Sequence, residues 1–454
     1  MKIKKTSIPL MLCTLGFYGC SDDQKDMRSD FEQDLNKEAE IIELFSMRQI
    51  EKNTKISQSE ATRIVNNIFS KSNSLKAIKA LSFEYVTKSS GLKSGKAAKD
   101  TTMYLINIGN QEGYAIISGD RRAGDILGFS ESGSISMADT SINCGLADFL
   151  KRLPAYCENE IASFEKKKEC LEAKYKNHNV LKASDTYEWQ CDFYDWGFPS
   201  IGWTKYWHQQ LPYNFKMGWN QNTGKRQLAG CLPIAMAEIM TWHKYPQSIN
   251  GKVLDWNLIN KYNSVGKNPL WVMTKIDEST VLGLTGDPEK IEYREQVSTL
   301  VKAIADKVVK AYGDNYTTGD LNKCTMAFKD FGYNCSKYRY YKYERPNDNS
   351  VITSLKKEKL PIIASTAAHA WVIDDYLKQN YINKSTKQVI NSRYLVHCNW
   401  GYTPTTSSLT NSNPAAGYYV DGVFSGKPIV CNYEQSVNQT GDVYIVYNIY
   451  PENK

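Results

Sequence analysis

The sequence has little excess charge, few histidines and only one long apolar run, and these scarcities exclude several classes of protein. Its 454 residues carry 56 Lys plus Arg against 49 Asp plus Glu, so a net charge of +7 is spread thinly along the chain. No basic stripe interleaved with exposed aromatic residues is present, which argues against nucleic-acid binding. A mean hydropathy of −0.50 argues against an integral membrane protein. With 41% apolar residues the chain can still build a core, and its length predicts two or three domains.

The one long apolar run lies at the N-terminus. Residues 1–5 are basic and residues 8–17 are apolar, which is the length of a signal peptide and too short to cross a bilayer. The run ends at a glycine followed by Cys20, which resembles a bacterial lipoprotein cleavage site, although Phe17 stands where Leu is usual. We expect residues 1–20 to be a lipoprotein-type signal peptide and a lipid on Cys20 to be the only membrane contact. The protein would then be exported, to the outer membrane or cell surface; an ordinary signal peptide with an incidental Cys is the alternative.

The chain divides into two parts of different composition. In the first part, residues 21–55 are predicted to form a tether or a first helix, and Ser57 with Glu60 forms a capping box before an amphipathic helix. Residues 86–101 are rich in Lys, Ser and Gly and are predicted to form a loop. Further on, a hairpin is predicted over residues 104–118 and a long helix over residues 146–176.

A run of Trp, Gly and Pro residues follows, and we place the domain boundary within residues 185–195. Beyond it, an apolar helix is predicted over 231–243, stopped by a Tyr-Pro pair, with further helices over 297–311 and 320–331. Strand-like runs come last, at 362–365, 370–373, 393–397, 418–420 and 442–447. Helices followed by antiparallel strands predict an α+β fold.

Cys231 is the first candidate for chemistry, because it stands at the N-terminus of the predicted helix 231–243. Nine of the eleven Cys lie beyond Cys20, and an odd number in an exported protein suggests one special thiol. Unpaired N–H groups and the helix dipole at that position favour the thiolate, which is the nucleophilic form. A lone Cys is more often a small buried hydrophobe, so the prediction depends on its partners.

A Cys nucleophile needs a base, usually His, and a group that orients the imidazole. Of five His residues, His369 opens a strand-like run 138 residues after Cys231, a spacing found in papain-like enzymes. Asn399 and Trp400 follow at the end of another strand. A metal site at His397 and its neighbouring Cys is the alternative there, but no spaced ligand pairs support it.

An oxyanion hole requires donors aimed at the developing negative charge. The backbone N–H of Cys231 is one such donor. Gln209 or Gln210 could supply the second, and in isolation a Gln upstream of a Cys is a weak signal.

Several segments in the same order resemble the streptopain family of secreted bacterial cysteine peptidases. The Gly-Cys helix that ends in His-Lys-Tyr-Pro is the most specific of them, and the segment from 113 to 130 resembles the family's inhibitory propeptide. The other matching segments are 209–214, 368–374 and 396–401.

The resemblance implies a zymogen. It predicts a papain-like α+β domain, with a helical part and an antiparallel sheet, over residues 191–454. A tether and a small α+β prodomain over residues 21–190 would act as an intramolecular inhibitor, and cleavage within 176–200 would release the catalytic domain.

The site residues also follow from the resemblance. Cys231 matches the nucleophile and His369 matches its base and later acid. Gln209 matches the oxyanion residue, because it stands three residues before Pro212. Asn399 and Trp400 match residues that orient or shield the His.

One departure from the family concerns the loop after Trp400. The family often continues Trp-Gly-Trp-Gly-Gly, whereas here the sequence continues Tyr-Thr-Pro into a Thr, Ser and Asn-rich insert that runs to Gly417. We expect this insert to border the cleft and to alter substrate preference.

The sequence therefore predicts an exported cysteine endopeptidase precursor that acts on proteins or peptides and needs no metal or organic cofactor. Two alternatives remain. One is a surface lipoprotein that keeps the fold but only binds, and the other is a transglutaminase or amidase that uses the same Cys–His chemistry.

Overall fold

The computed structural model describes fourteen ranges of the chain. They are residues 23–71, 81–87, 91–94, 100–110, 112–138, 144–176, 187–192, 207–263, 288–340, 354–355, 362–366, 369–401, 416–423 and 443–452. The predicted signal peptide with Cys20, and the insert between Trp400 and Gly417 apart from its first and last residues, lie outside them. In the described part of the chain, no helix is long and apolar enough to cross a membrane.

Seven α-helices lie in the described residues. Three belong to the N-terminal part and four to the C-terminal part. Their bounds are α1 Asp23–Lys52, α2 Gln58–Lys71, α3 Cys144–Lys174, α4 Cys231–His243, α5 Trp256–Asn263, α6 Pro288–Val308 and α7 Leu321–Asp330.

The strands within the described ranges are short in the N-terminal part and longest near the C-terminus. Their bounds are β1 Leu81–Thr87, β2 Gly91–Ser94, β3 Thr101–Ile108, β4 Tyr114–Ser118, β5 Ile126–Ser130, β6 Tyr187–Asp192, β7 Trp219–Asn220, β8 Lys225–Arg226, β9 Ser248–Ile249, β10 Lys252–Val253, β11 Val309–Ala311, β12 Thr318–Gly319, β13 Tyr333–Tyr340, β14 Ile362–Ser365, β15 Ala370–Asn383, β16 Val389–Asn399, β17 Gly417–Val420 and β18 Val443–Pro451.

Twelve of these strands form one antiparallel sheet. Its order is β13-β18-β14-β15-β16-β17-β5-β4-β3-β1-β2, and β6 pairs with the distal half of β15. The strands before β6 are thus joined to those after it through the pairing of β5 with β17, in which Phe129 lies opposite Tyr418 and Gly128 lies opposite Tyr419. Helices α4, α6 and α7 pack on the C-terminal part of the sheet, and their apolar side chains form one buried cluster. The predicted α+β class is confirmed.

The predicted local signals are largely present. The Glu60 N–H donates to Ser57 Oγ at 3.3 Å, as a capping box requires, and helix α2 starts at the next residue after Ser57. Helix α4 has the predicted bounds, and α7 begins one residue after Asp320, whose side chain accepts from the Asn322 N–H. Residues 21–55 are largely helix: Met47 of α1 packs with Leu171 of α3 in a small separate cluster.

The prediction of a loop over residues 86–101 was wrong at both ends. Residues 91–94 form β2, which pairs with β1, and Thr101 opens β3. Residues 95–99 lie outside the described ranges.

The strand predicted at 370–373 was too short, since β15 runs to Asn383. A buried strand paired on both sides can continue through polar residues when their side chains find hydrogen-bond partners.

The N-terminal and C-terminal parts are held together by polar contacts as well as by strand pairing. The buried hydroxyls of Tyr114 and Tyr419 share a hydrogen bond across the junction. The Arg393 guanidinium on β16 donates to the carbonyl oxygens of Ala123 (2.6 Å) and Ile126 (2.7 Å). Because a carbonyl that loses such a donor stays buried, these bonds stabilise the junction by more than an exposed pair would.

We expect Arg393→Ala to lower the free energy of unfolding by about 2–3 kcal/mol, since two charge-assisted bonds to backbone carbonyls are lost. The measurement is urea denaturation in a Cys231→Ala background, which would prevent any self-cleavage from confusing the result. Arg63→Ala is the matched control, because Arg63 is 58% exposed in its ion pair and should change stability by about 0.5 kcal/mol or less. Equal stability of the two variants would contradict a role for the guanidinium in the junction.

Candidate active site

Cys231 lies at the first position of helix α4, as predicted. Gly230 precedes it with a φ of 95°, a left-handed conformation that favours glycine, and a Cβ there would come within 3.0 Å of the Thr317 methyl group. The backbone N–H of Ala370, the first residue of β15, lies close enough to the Cys231 thiol to lower its pKa. The helix and the sheet therefore meet at the thiol.

The electrostatic prediction for this thiol does not hold in the precursor. Burial raises the pKa of Cys231, and the backbone N–H groups of Ala370, Leu232 and Cys231 itself lower it by less. Desolvation therefore outweighs the helix N-terminus here. The thiol is held in its neutral form in the full-length chain.

His369 is buried immediately before β15, next in sequence to the residue that contacts the Cys231 sulfur. Its Nε2 lies 2.7 Å from the carbonyl oxygen of Trp400. Because a carbonyl can only accept, Nε2 carries the proton in this bond. The imidazole is thus oriented by a main-chain oxygen at the end of β16.

Asn399 and Trp400 are both brought to the site, but they do different things there. The Asn399 side chain accepts from the Gly401 N–H at 3.1 Å and donates to Glu238 Oε2 at 3.1 Å. The Trp400 ring is fully buried, with its centroid 5.0 Å from the Trp371 ring. The side chain of Trp400 therefore forms one wall of the site, while its carbonyl oxygen accepts the hydrogen bond that orients His369.

The segment that carries Gln209 runs beside the start of helix α4. The Gln209 carbonyl accepts from the Ala229 N–H at 3.0 Å, two residues before Cys231. Gln209 is half-buried and Gln210 is exposed. Of the two candidates, Gln209 is thus the one that packs against the structure next to the thiol.

Glu238 is a site residue that our reading of the sequence missed. It lies seven residues after Cys231 on helix α4, is 1% exposed, and binds Asn399 as described above. Burial raises its pKa well above the usual range, and the charge of Asp374 raises it further. The sequence pattern could have indicated this residue, since Glu238 is the one carboxylate in a largely apolar helix. Two helical turns also place it near the face that carries Cys231.

The first turn of helix α3 covers this site. A Cβ built on Gly145 would lie 2.3 Å from the Trp400 ring and 2.8 Å from His369 Cδ2, so only a glycine permits this approach. One turn later, the Phe149 ring packs 4.9 Å from the ring of Tyr419. The first turn of α3, which belongs to the N-terminal part, thus packs against His369.

His397 takes part in an ion pair. Its Nδ1 lies 2.5 Å from Asp374 Oδ1. Burial alone lowers the pKa of His397, but the Asp374 carboxylate outweighs it and the pKa is raised. Among the described residues, no group of three His, Cys, Asp or Glu side chains is placed to hold a metal ion.

Two family models match the chain, one in each part. The Spi protease inhibitor model matches residues 53–157, and the Peptidase C10 family model matches residues 207–406. Streptopain from Streptococcus pyogenes serotype M28 (strain MGAS6180) is 22% identical over 378 residues, which cover 75% of this chain and 86% of the relative. Streptopain from Streptococcus pyogenes serotype M1 is 21% identical with the same coverage.

Two solved structures from Prevotella intermedia are also similar to the chain. A fragment of prointerpain A with a Cys-to-Ala mutation is 18% identical and covers 76% of this chain and 94% of its own, with a TM-score of 0.45. Active wild-type interpain A cysteine protease is 18% identical and covers 54% of this chain and 93% of its own, with a TM-score of 0.31.

We expect Cys231 in the full-length chain to react slowly with iodoacetamide at pH 7 and faster as the pH rises, because a raised pKa leaves little thiolate at neutral pH. The measurement is the alkylation rate at Cys231 between pH 5 and 10, followed by peptide mass mapping. Cys170, which is exposed on α3, reports whether the reagent itself is active. A Cys231 rate that has already reached its plateau at pH 6 would contradict the prediction.

Proposed function

Because the chain belongs to the streptopain-like cysteine peptidases, we propose that it is the zymogen of a cysteine endopeptidase with Cys231 as nucleophile and His369 as base and acid. One observation carries the assignment. The backbone N–H of Ala370, the residue that directly follows His369, lies close enough to the Cys231 thiol to lower its pKa, so helix α4 and strand β15 bring the thiol and the imidazole into one region. An inhibitory domain lies over that place, as the zymogen requires.

The proposed reaction uses only groups of this chain and water. His369 takes the proton of the Cys231 thiol, and the thiolate attacks the carbonyl carbon of the peptide bond to form a C–S bond, which puts the negative charge on the carbonyl oxygen. His369 then protonates the leaving amine as the C–N bond breaks. In the second half, His369 takes a proton from water, the hydroxide displaces the thiolate from the acyl-enzyme, and the free acid leaves.

Two donors would stabilise the oxyanion. The Cys231 N–H points out of the first turn of α4, where helix N–H groups have no intrahelical acceptor. The Gln209 side-chain amide is the second donor, supported by the bond that ties the Gln209 carbonyl to Ala229 beside the helix start. Removing one oxyanion donor typically costs about 100- to 1,000-fold in kcat.

The acceptor that orients His369 is proposed to be the Trp400 carbonyl. The 2.7 Å bond to Nε2 leaves Nδ1 as the nitrogen that exchanges a proton with Cys231. The Trp400 ring shields the imidazole from water. This division of roles explains why both Asn399 and Trp400 are present: one fixes the turn and the other supplies the acceptor and the wall.

The inhibitory state depends on the first turn of α3. Gly145 lies against His369 and Trp400, so a substrate backbone cannot reach the histidine while α3 is in place. We therefore propose that the N-terminal domain inhibits by blocking access to His369.

The proposal also covers export and processing. Residues 1–20 are the proposed signal peptide, with a lipid on Cys20, residues 21–190 the tether and prodomain, and residues 191–454 the peptidase. Strand β6 spans the boundary between the last two and is paired to β15. Because that pairing shields the backbone of β6 from a protease, we place the cut within residues 176–200 but outside β6.

We expect the purified, reduced wild-type chain to lose its prodomain on incubation, while Cys231→Ala stays full length. Intact mass measurement follows the cleavage. An epoxide inhibitor of papain-like peptidases should add the mass of one inhibitor molecule per chain, mapped to Cys231, and should prevent the shortening. Cys324→Ala is the matched control, since Cys324 is buried in α7, far from α4 in sequence. This variant should lose its prodomain as the wild type does.

Other outcomes separate the alternatives. If wild type and Cys231→Ala both stay intact, an outside protease performs the cut. If neither cleavage nor adduct appears even after limited proteolysis removes the prodomain, the chain binds rather than cuts. Transfer of the acyl group to an added amine, with little hydrolysis of a peptide panel, would indicate a transglutaminase.

A further inference from the structure

Helix α4 buries a carboxyl group in its interior, two turns from the nucleophile. Glu238 is 1% exposed, and the side chains around it on the helix are apolar. Two other ionisable groups interact with it electrostatically. The charge of Asp374 on β15 raises the pKa of Glu238, and the charge of Glu238 raises the pKa of Tyr213 in the loop before the helix. A carboxyl group in such a place lowers stability unless it is hydrogen-bonded.

Glu238 has one hydrogen-bond partner that leads out of the helix. Its Oε2 accepts from Asn399 Nδ2 at 3.1 Å. The other end of the same amide, Asn399 Oδ1, accepts from the Gly401 N–H at 3.1 Å. The Asn399 side chain is therefore held from both ends, by helix α4 on one side and by its own turn on the other.

The Gly401 N–H and the Trp400 carbonyl belong to the same peptide unit. A peptide unit is planar and trans, so a bond that fixes the direction of its N–H also fixes the direction of its C=O. That carbonyl is the acceptor of His369 Nε2, at 2.7 Å. An unbroken series of bonds therefore runs from Glu238 through Asn399 and the 400–401 peptide plane to the His369 imidazole.

We propose that Glu238 is a positioning residue for His369, acting through the Asn399 side chain and the peptide plane between Trp400 and Gly401. The inference deepens the function proposed above and rests on it. Glu238 touches neither substrate nor the reacting atoms. Its part is to hold the direction of the one carbonyl that orients the imidazole, from the same helix that carries Cys231, so that nucleophile and base share one rigid support.

The test compares three substitutions in the full chain, each activated by the same limited proteolysis. Glu238→Met keeps the length and apolar volume of the side chain but removes the acceptor. Glu238→Gln keeps an acceptor oxygen for Asn399. Thr241→Val is the matched control, because Thr241 is equally buried on the same helix and its hydroxyl bonds only within the helix, to the Ala237 carbonyl.

We expect Glu238→Met to lower kcat by about 10- to 100-fold with KM changed by less than about threefold, because the imidazole loses its orientation while the cleft is unchanged. Glu238→Gln should stay within about threefold of wild type, and Thr241→Val should match it. Titration of active sites with an epoxide inhibitor corrects each value for the fraction of folded enzyme. A loss of kcat that disappears after this correction would overturn the inference.

The rate of Cys231 alkylation against pH separates positioning from a general loss of stability. A misoriented His369 should lower the rate at neutral pH and move its rise to higher pH in Glu238→Met, with Glu238→Gln restoring the wild-type profile. In a double-mutant cycle, Asn399→Leu should add little to Glu238→Met, because both break the same series of bonds. Additive effects, or an unchanged profile in Glu238→Met, would overturn the inference.

The two proposals fail in different ways. If the activated wild type cleaves no peptide, the proposed peptidase function fails, and the alkylation profile alone decides whether Glu238 positions His369. If the wild type cleaves peptides and Glu238→Met does so equally well, the inference about Glu238 fails and the peptidase assignment stands.

Discussion

The pairing of β5 with β17 is the contact on which the arrangement of this molecule depends. It makes one sheet of strands that belong to an inhibitor-like segment and strands that belong to a peptidase-like segment. Once those strands are joined, helix α3 is carried across the peptidase sheet, and its first turn meets His369. The coverage of the histidine follows from that one edge-to-edge contact.

The site itself is built largely from main-chain groups. The histidine is oriented by a backbone carbonyl, the cysteine sulfur receives backbone N–H groups, and the proposed oxyanion donors include another N–H. Side chains such as Asn399 and Glu238 act one step further out, by fixing the planes of those peptides. A substitution of Trp400 would therefore change the wall of the site and leave the carbonyl acceptor in place, whereas a substitution that frees the turn could move it.

Local rules in the sequence were sufficient for much of the fold. The capping box at Ser57, the proline stop after α4 and the glycine before Cys231 each fix a boundary by the chemistry of a few neighbouring residues. Cys231, His369 and Asn399 were predicted as site residues on a similar ground, since each residue type suits one task in thiol catalysis.

Other features depend on contacts that no local pattern encodes. Strand β2 was missed because Gly, Lys and Ser favour a loop, and only its pairing with β1 makes it a strand. The pKa of Cys231 went the opposite way from the prediction, because the helix N-terminus is visible in the sequence and the burial of the thiol by distant residues is not. The Trp400 carbonyl could not be predicted as the orienting group, since every residue has a carbonyl and only the turn gives this one its direction.

The hydroxyl pair of Tyr114 and Tyr419 joins residues 305 positions apart in the chain. Contacts of such long sequence separation form late, because the entropy of closing the intervening chain must be met before they contribute. The hairpin of β3 and β4, by contrast, needs only a five-residue turn. The strands of the N-terminal domain can therefore pair before the contact with Tyr419 forms, and they would then offer the edge of β5 to β17. On this view the segment that silences the enzyme is also the one that gives the final part of the chain a surface on which to fold.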